Sequence, residues 1–314
     1  MGPEIRRAGA LITVCICSHG RPDYVQDCFD GLRRQTAPFT LIVVDSASPP
    51  DAAAALQSLV ADMPHARLIR LDRPGLSAAR NAALAAVPTG YVAFIDDDAI
   101  PAPDYIAAIA RAVADAPGAA VMGGQVLPSW EAPLPDWWPA RLRGVLSIVE
   151  GEGCGAYGEP GAAQFLAPCG ANFIVLAEAA RAIGGFSERV GRIGDILLSD
   201  EETLLTHLLC RAGHTTWYDS RILVHHQIQA HRLEPRWLLS RMYWQGASSV
   251  MSDLASDRRA AVTRALPRRL LVAVLLAALA VVPRNSTWLM PLRWRRAYAA
   301  GFTRAALGWL RLRA

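Results

Sequence analysis

The 314-residue sequence contains no lysine, and it has no acidic residue after Asp257. All 32 basic residues are arginines, and this absence of lysine by itself points to no mechanism. The second absence divides the chain: residues 1–257 carry all 28 acids and 20 arginines, a net charge of −8, whereas residues 258–314 carry the other 12 arginines. Such asymmetry predicts that the C-terminal segment meets an anionic surface.

No CxxC motif occurs among the six cysteines, which argues against a structural zinc site. The closest pair, Cys15 and Cys17, lies in an apolar run typical of a strand, so we expect buried free thiols in a reducing compartment. The first 20 residues lack a small-residue cleavage site, and their apolar run is predicted to be a strand rather than a signal peptide. We therefore expect the body of the protein in the cytoplasm.

No apolar run reaches the roughly 20 residues that a membrane-spanning helix needs. Leu270–Val282 is uniformly apolar but short, and Trp288–Arg313 mixes aromatic and aliphatic residues with arginines. These features predict helices that lie in the interface of an anionic membrane. A helical cap on the protein or an oligomer contact is the alternative. The hydrophobicity of these helices argues against nucleic-acid binding.

Strand-like and helix-like patterns alternate along the first 115 residues, which predicts an α/β fold built on a parallel sheet. Short apolar runs predict strands at Leu11–Cys17, Leu41–Val44, Arg67–Leu71 and Tyr91–Ile95. Apolar residues at helical spacing lie between and after them, around residues 24–32, 52–63, 76–86 and 105–114.

Polar residues follow three of these strands directly: Ser18, Asp45 and the run Asp96, Asp97 and Asp98. Ligands of parallel α/β sheets bind at the carboxyl ends of the strands. Three adjacent carboxylates repel one another unless a cation lies beside them, and Mg²⁺ or Mn²⁺ prefers such oxygen ligands. A solvated turn is the alternative for the acidic run alone.

Four stretches, in order, resemble the inverting glycosyltransferases of family 2, which have the GT-A fold: TVCICSHGRPDYV, LIVVDSAS, GLSAARNAAL and YVAFIDDDAIP. A later stretch, GGFSER…LLSDEETLLTHLLCRAGH, resembles the acceptor-side motif of that family. The resemblance covers roughly residues 10–230. It implies a GT-A catalytic domain at 1–230, followed by a helical connector at 231–257 and a membrane-associated segment at 258–314.

The resemblance also implies roles for individual residues on the donor side. Ser18 and Arg21, in the loop after the first strand, would hold the nucleotide. Asp45 would accept a hydrogen bond from the base, most naturally from N3–H of uracil. Arg80 would lie beside the base and the phosphates.

For the acidic run, the resemblance implies that Asp96 and Asp97 line the ribose and metal region and that Asp98 binds Mg²⁺ or Mn²⁺. A further ligand is suggested by the residues themselves. The strand-like run Ile222–Val224 is followed by two histidines, of which His226 is the candidate. A buried histidine without a metal is the alternative.

An inverting transfer needs a base that takes the proton of the acceptor hydroxyl. The family usually supplies it from a Glu-Asp pair at the start of a helix, and here the pair is Glu201-Glu202. The resemblance therefore implies Glu202 as base, with Glu201 and Asp200 as alternatives. Stabilisation of a helix N-terminus is the purely structural explanation. The QxxRW motif of processive members is not matched, because Leu233 stands at its first position, so a single addition is expected.

The expected function is a metal-dependent inverting transfer of a sugar from a nucleotide sugar, most naturally a UDP-sugar, to a glycan or lipid-linked acceptor. The expected setting is envelope or exopolysaccharide synthesis, with a peripheral or monotopic protein on the cytoplasmic face of the inner membrane. One alternative is a nucleotidyltransferase acting on sugar phosphates, although the glycine-rich phosphate loop is missing. The other is an inactive membrane scaffold with a transferase fold.

Overall fold

The computed structural model describes residues 12–63, 65–156, 168–192 and 196–311. These residues form two compact units, each described separately here. The sheet unit comprises the described residues within Met1–Ser129, Ser147–Phe186 and Leu205–Gln227. The helical unit comprises those within Trp130–Leu146, Ser187–Leu204 and Ile228–Ala314. The predicted domain limits at residues 230 and 257 stay a prediction.

Within the described ranges, eight strands of the sheet unit form one sheet in the order β3-β2-β1-β4-β9-β6-β10-β8. Their bounds are β1 Ile12–Ser18, β2 Thr40–Ser46, β3 Ala66–Leu71, β4 Tyr91–Asp96, β6 Ala119–Gly123, β8 Cys154–Ala156, β9 Phe173–Leu176 and β10 Thr215–Asp219. The first four pair in parallel, whereas β9 runs antiparallel to both β4 and β6. This arrangement confirms the predicted mostly parallel α/β fold.

Helices cover both faces of this sheet. Their bounds are α1 Pro22–Arg33, α2 Pro50–Ala61, α3 Leu76–Ala86, α4 Tyr105–Asp115 and α5 Ala177–Ala182. Residues of α1, α2 and α4 pack into one buried apolar cluster, and residues of α3 and α5 pack into another. Alternate residues of β1 supply the two clusters, Val14 and Ile16 to one and Cys15 to the other. A strand buried on both faces reads as a continuous apolar run, as seen in the sequence.

A smaller sheet has the order β5-β11-β7, with β5 Ala99–Pro101, β7 Val126–Trp130 and β11 Val224–Ile228. Here the predicted bounds are wrong, since His225 and His226 lie inside β11 rather than after a strand at Ile222–Val224. Antiparallel pairing aligns His226 with Ala99, and the two-residue period buries His226 while it exposes His225. Strand β6 ends before Gly124, where a Cβ would lie 2.1 Å from the Ile222 carbonyl oxygen.

The helical unit is dominated by three long helices near its C-terminal end: α7 Pro235–Ala255, α8 Arg259–Leu275 and α9 Met290–Arg311. The helix α6 Glu201–Arg211 precedes them in the chain, and its first four residues belong to the helical unit. A 3₁₀ segment at Ala277–Val281 lies between α8 and α9. Helices α7 and α9 touch backbone to backbone, because a Cβ on Gly246 or Gly301 would lie about 2 Å from the opposite helix. The predicted C-terminal helices are confirmed. None of the described helices has both the length and the hydrophobicity that crossing a bilayer requires.

Candidate functional site

The carboxyl edge of the parallel strands brings the predicted donor-side residues together. The strand register pairs Ser18 with Asp45 across β1 and β2, and it pairs Cys17 with Asp96 across β1 and β4. Asp97 and Asp98 follow immediately and are almost fully buried. Three strand ends therefore deliver polar side chains to one edge of the sheet, as the sequence predicted.

Asp97 is held by the loop that follows β1. The Ser18 hydroxyl donates to Asp97 Oδ2 over 2.7 Å, and Arg21 Nε donates to the same oxygen over 3.2 Å. Arg21 Nη2 pairs with the other oxygen, Oδ1. Burial raises the pKa of Asp97 to about 6, although the Arg21 charge acts to lower it. Ser18 and Arg21 thus bind the Asp97 carboxylate in the structure. The expected nucleotide contacts of Ser18, Arg21 and Asp97 stay predictions.

Asp96, Asp98 and His226 form a cluster in which one ligand atom of each lies within 4.8 Å of the others. His226 Nε2 is 3.2 Å from Asp98 Oδ1, and both side chains are buried. The Gln227 N–H donates to the Asp98 carbonyl oxygen over 2.7 Å, which holds β11 against the acidic run. Two carboxylates and an imidazole are a donor set that suits Mn²⁺, so these residues could hold a metal ion. The predicted ligands Asp98 and His226 are together, and Asp96 joins them.

Two arginines balance the negative charge of this cluster. Arg21 Nη1 lies 3.0 Å from Asp98 Oδ2. Arg80 of α3 is 1% exposed and places Nη2 3.5 Å from Asp96 Oδ1. Its guanidinium also lies over the rings of Phe94 and Phe186, at 5.8 and 5.4 Å from their centroids, which stabilises a buried cation. Arg80 is therefore a fixed positive charge beside the acids.

Asp45 is engaged at both carboxylate oxygens. The Ser48 N–H donates to Oδ1 over 2.9 Å, and Arg70 Nη1 donates to Oδ2 over 2.6 Å. The sequence prediction missed Arg70, yet the parallel register of β2 and β3 places it directly beside Asp45. Arg70 is half exposed, whereas Asp45 is buried. The predicted contact of Asp45 with a nucleobase stays a prediction.

A buried amide supports the chain that leads into β11. Asn172 Nδ2 donates to the carbonyl oxygens of Ile222, over 2.8 Å, and Gln125, over 3.1 Å. Its own Oδ1 accepts from the Tyr105 hydroxyl over 3.1 Å. Because buried polar groups need partners, this network fixes the start of the strand that carries His226. No pattern in the sequence marks Asn172 for this role.

The three acceptor-side acids lie in the helical unit, at the start of α6. Asp200 precedes the helix with a φ of 77°, a left-handed conformation that is uncommon for a non-glycine residue. Gln245 Nε2 donates to both oxygens of Asp200, over 2.8 and 3.1 Å, and the Ser199 hydroxyl donates to one of them over 3.1 Å. Glu201 and Glu202 occupy the first turn and are buried.

Arg241 of α7 faces the same region of the helical unit. Its Nη2 donates to the Ser199 hydroxyl oxygen over 3.2 Å. Burial and the nearby Arg192 charge lower the pKa of Arg241 to about 10, against the opposing pull of the three acids. Neither Arg241 nor Gln245 was predicted from the sequence. Asp200 is thus held by a neutral amide and by the Ser199 hydroxyl, which itself accepts from the partly buried Arg241 guanidinium.

Comparison with known proteins agrees with this geometry. Residues 13–146 match the model of Glycosyl transferase family 2. Residues 13–146 carry the signature of that family. The match includes the loop after β1 and the whole acidic run, and it agrees with the resemblance seen in the motifs. His226 and the acids at the start of α6 lie beyond the matched segment.

Relatives of this chain include a glucosyl-dolichyl phosphate glucuronosyltransferase from Haloferax volcanii, which is 29% identical over 180 residues. That alignment covers 56% of this chain and 56% of the relative, so it spans little more than half of each. A mannosyltransferase from Pyrobaculum calidifontis, solved with GDP-Man and Mn²⁺, superposes with a TM-score of 0.59 at 18% identity. It covers 93% of this chain and 86% of its own, which confirms the GT-A fold.

Proposed function

We propose that this protein transfers a sugar from a nucleotide sugar, with inversion, to a lipid-linked or glycan acceptor. The observation that carries the proposal is the cluster of Asp96, Asp98 and His226 at the carboxyl edge of the sheet, beside Arg21 and Arg80. Acids and arginines alternate there at 3.0–3.5 Å. Such an edge suits a diphosphate accompanied by a divalent cation.

On the donor side, Asp96, Asp98 and His226 would hold Mg²⁺ or Mn²⁺. When bound, such an ion neutralises charge that develops on a leaving diphosphate. Arg80, which is fixed between two aromatic rings, adds a preorganised positive charge for the same oxygens. Ser18 and Arg21 hold the loop after β1 through Asp97 and so present its backbone to the nucleotide.

Uridine remains the proposed base, with Asp45 as the acceptor of N3–H. Asp45 is held on the edge strand pair by Ser48 and Arg70, which fixes the orientation of the carboxylate. A carboxylate can accept more than two hydrogen bonds, so these partners leave capacity for a base. The Pyrobaculum neighbour was solved with a guanosine nucleotide, and a purine is therefore the rival that the experiment must include.

On the acceptor side, we assign Glu202 as the base that takes the hydroxyl proton. Asp200 accepts from Gln245 at both oxygens, and this makes it a positioning group rather than the base. Glu202 stands in the first turn of α6, directly after Glu201, and is buried. Glu201 is the remaining alternative for the base.

We also propose that the acceptor is presented at the cytoplasmic face of a membrane, in envelope or exopolysaccharide synthesis. The named Haloferax relative acts on a dolichyl phosphate-linked sugar. Residues 258–314 expose large apolar side chains beside 12 arginines and no acid: Leu270, Leu271, Val274, Leu275, Val281 and Trp288. Near an anionic surface, each such arginine contributes about 1 kcal/mol, which salt screens.

The test is a calorimetric titration of the full chain with UDP, GDP and ADP, each with Mn²⁺, with Mg²⁺ and with a chelator. We expect UDP to bind and the chelator to abolish binding. A preference for GDP would overturn the uridine assignment, and equal binding with chelator would overturn the metal assignment. A panel of UDP-sugars in the same titration then identifies the sugar, because the correct donor should bind more tightly than UDP alone.

A further inference from the structure

The helical unit contains a cavity of about 440 Å³ between α7, the 3₁₀ segment Ala277–Val281 and α9. This volume lies in the range of pockets that hold small molecules. Four arginines line it, namely Arg236, Arg284, Arg293 and Arg296. No acidic side chain is part of its described lining. All of its lining residues belong to the helical unit, and the proposed transfer step makes no use of them.

The positive charge of this cavity is only partly balanced by the protein. Arg236 pairs with Glu234, 2.6 Å away. Across the described ranges, Arg284 and Arg296 form no ion pair, and the buried Nε of Arg296 has no hydrogen-bond partner. A buried donor without a partner costs free energy, and a bound acceptor would remove that cost. The surplus charge therefore favours an anionic ligand.

Arg293, in the same cavity wall, binds backbone carbonyl groups of the protein. Its guanidinium donates to the carbonyl oxygens of Pro283, over 2.9 Å, and Ser286, and so clamps the turn between the 3₁₀ segment and α9. Burial lowers the pKa of Arg293. It shapes the cavity, whereas Arg284 and Arg296 remain for a ligand.

The rest of the wall is largely apolar. It is supplied by Leu239 and Tyr243 of α7, Leu279 and Val282 around the 3₁₀ segment, and Ala297 of α9. The 3₁₀ segment that lines the cavity also carries Val281, which is 86% exposed. One short segment thus belongs both to the cavity wall and to the exposed apolar surface. A purely ionic ligand such as free phosphate would leave this apolar wall without a partner.

We infer that the cavity binds a single lipid that bears a phosphate, with the phosphate at Arg284 and Arg296 and the chain along Leu239, Leu279 and Val282. Guanidinium groups bind phosphate oxygens through charge-assisted hydrogen bonds. The apolar wall accounts for a hydrocarbon chain. A prenyl phosphate and a phosphoglyceride share this chemistry. The inference names a class of lipid for the proposed lipid-directed function, and it rests on that function.

The experiment measures binding of soluble short-chain probes to the full-length protein by calorimetry. The probes are farnesyl phosphate and dihexanoyl phosphatidylglycerol, with farnesol, dihexanoyl phosphatidylcholine and inorganic phosphate for comparison. We expect at least one phosphate-bearing anionic probe to bind, and farnesol and free phosphate to bind at least 10-fold more weakly. Binding of farnesyl phosphate would mark an acceptor-type lipid, and binding of phosphatidylglycerol a bulk membrane lipid. If neither binds, or if free phosphate binds equally well, the inference is wrong.

Two variants test the location. Arg296→Ala should weaken binding about 10-fold or more, the usual effect of losing a hydrogen bond to a charged group. The matched control is Arg295→Ala, which removes the same charge from the same helix outside the cavity lining. Equal losses in both variants would show a nonspecific charge effect and overturn the site.

Ala280→Trp fills the cavity from an exposed position without removing charge. It should abolish probe binding while it leaves the melting temperature near that of the wild type, and unchanged probe binding would contradict the inference. Manganese–UDP titration of every variant is the separate control. Loss of lipid binding with normal nucleotide binding concerns the cavity alone, whereas failure of the wild type to bind any nucleotide concerns the proposed function.

Discussion

The chain contains two runs of three acids, and the residues that bind the acids differ between the two runs. Asp96–Asp98, at the end of a strand in the sheet unit, lies among full positive charges from Arg21 and Arg80 and beside His226. In the second run, Asp200–Glu202 at the start of a helix in the helical unit, the neutral amide of Gln245 bonds Asp200, and the charge of Arg241 interacts with all three acids. The acids of the first run contact arginines directly, whereas Asp200 of the second run is bonded by an amide and a hydroxyl.

This difference indicates different chemical tasks. Carboxylates that share a site with arginines and an imidazole can exchange one positive partner for another, as a cation site requires. A carboxylate such as Asp200, bonded by an amide and a hydroxyl, keeps its position through neutral donors and can orient a neighbouring carboxylate that accepts a proton. The predictions that follow test whether the contrast is functional, and they run from the largest expected effect to the smallest.

The largest effect should come from Glu202→Gln. The amide is nearly isosteric and cannot accept a proton, so single-turnover transfer should slow by roughly 10²–10⁴. Nucleotide binding with Mn²⁺ should stay unchanged, because the substitution lies in the other acid run. The matched control is Glu201→Gln, which should lower the rate much less. A larger loss for Glu201→Gln than for Glu202→Gln would reassign the base to Glu201.

Asp98→Asn should weaken Mn²⁺-dependent UDP binding by at least about 100-fold. This exceeds the 10–100-fold cost of losing an outer-shell partner, because Asp98 contacts the proposed ion itself. The control is Asp51→Asn, a neutralisation at an exposed position of α2. Calorimetry measures both variants. Normal Mn²⁺–UDP affinity in Asp98→Asn would remove the distinction between the two acid runs.

Gln245→Leu should lower the free energy of unfolding by about 1–3 kcal/mol, the cost of removing the amide donor from a partly buried carboxylate. The reason is that Asp200 would lose the amide that bonds both of its oxygens. Urea unfolding measures this loss. Ser249→Ala, one turn along the same helix, is the comparison, and equal losses in the two variants would show that the Gln245 contact has no special weight.

The smallest effect concerns Arg21, which competes with a cation for Asp98. Arg21→Ala should raise Mn²⁺ affinity in the absence of nucleotide by about 5-fold, since a partly exposed charge about 4 Å away contributes on the order of 1 kcal/mol. Manganese titration in nucleotide-free buffer measures it, and Arg33→Ala on the exposed end of α1 is the control. Weaker Mn²⁺ binding in Arg21→Ala would mean that Arg21 organises the site rather than competing for it.

The sequence predicted the sheet and its polar edge because both follow from local patterns. Apolar runs that end in Ser18, Asp45 and Asp96 fix where three strands stop, and parallel strands share one edge. The contact of Asp45 with Arg70 could also have been predicted, since aligning the second and third strands places the two residues side by side. The burial of His226 follows from two-residue alternation once β11 is extended through both histidines.

The surroundings of the acids at the start of α6 were less predictable. Gln245 and Arg241 lie on α7, more than 40 positions after Asp200 in the sequence, and only packing brings them to that acid. The left-handed backbone of Asp200 also has no local signal, since neither glycine nor asparagine occupies the position. Contacts made by tertiary packing between distant helices leave no periodicity in either segment.

The backbone contact of α7 with α9 supplies a means of recognising similar proteins. Glycine is required at 246 and at 301, because a Cβ on either would lie 2.1 or 1.8 Å from a carbonyl oxygen of the other helix. Gly246 is one turn beyond Tyr243 and Gly301 directly follows Ala300, and both of those neighbours line the arginine-rich cavity. A search for chains with this cavity can therefore use the two glycines and the flanking arginines as a fingerprint. Family 2 chains with bulkier residues at both places must space these helices further apart, and we expect them to have lost the cavity or reshaped it for another molecule.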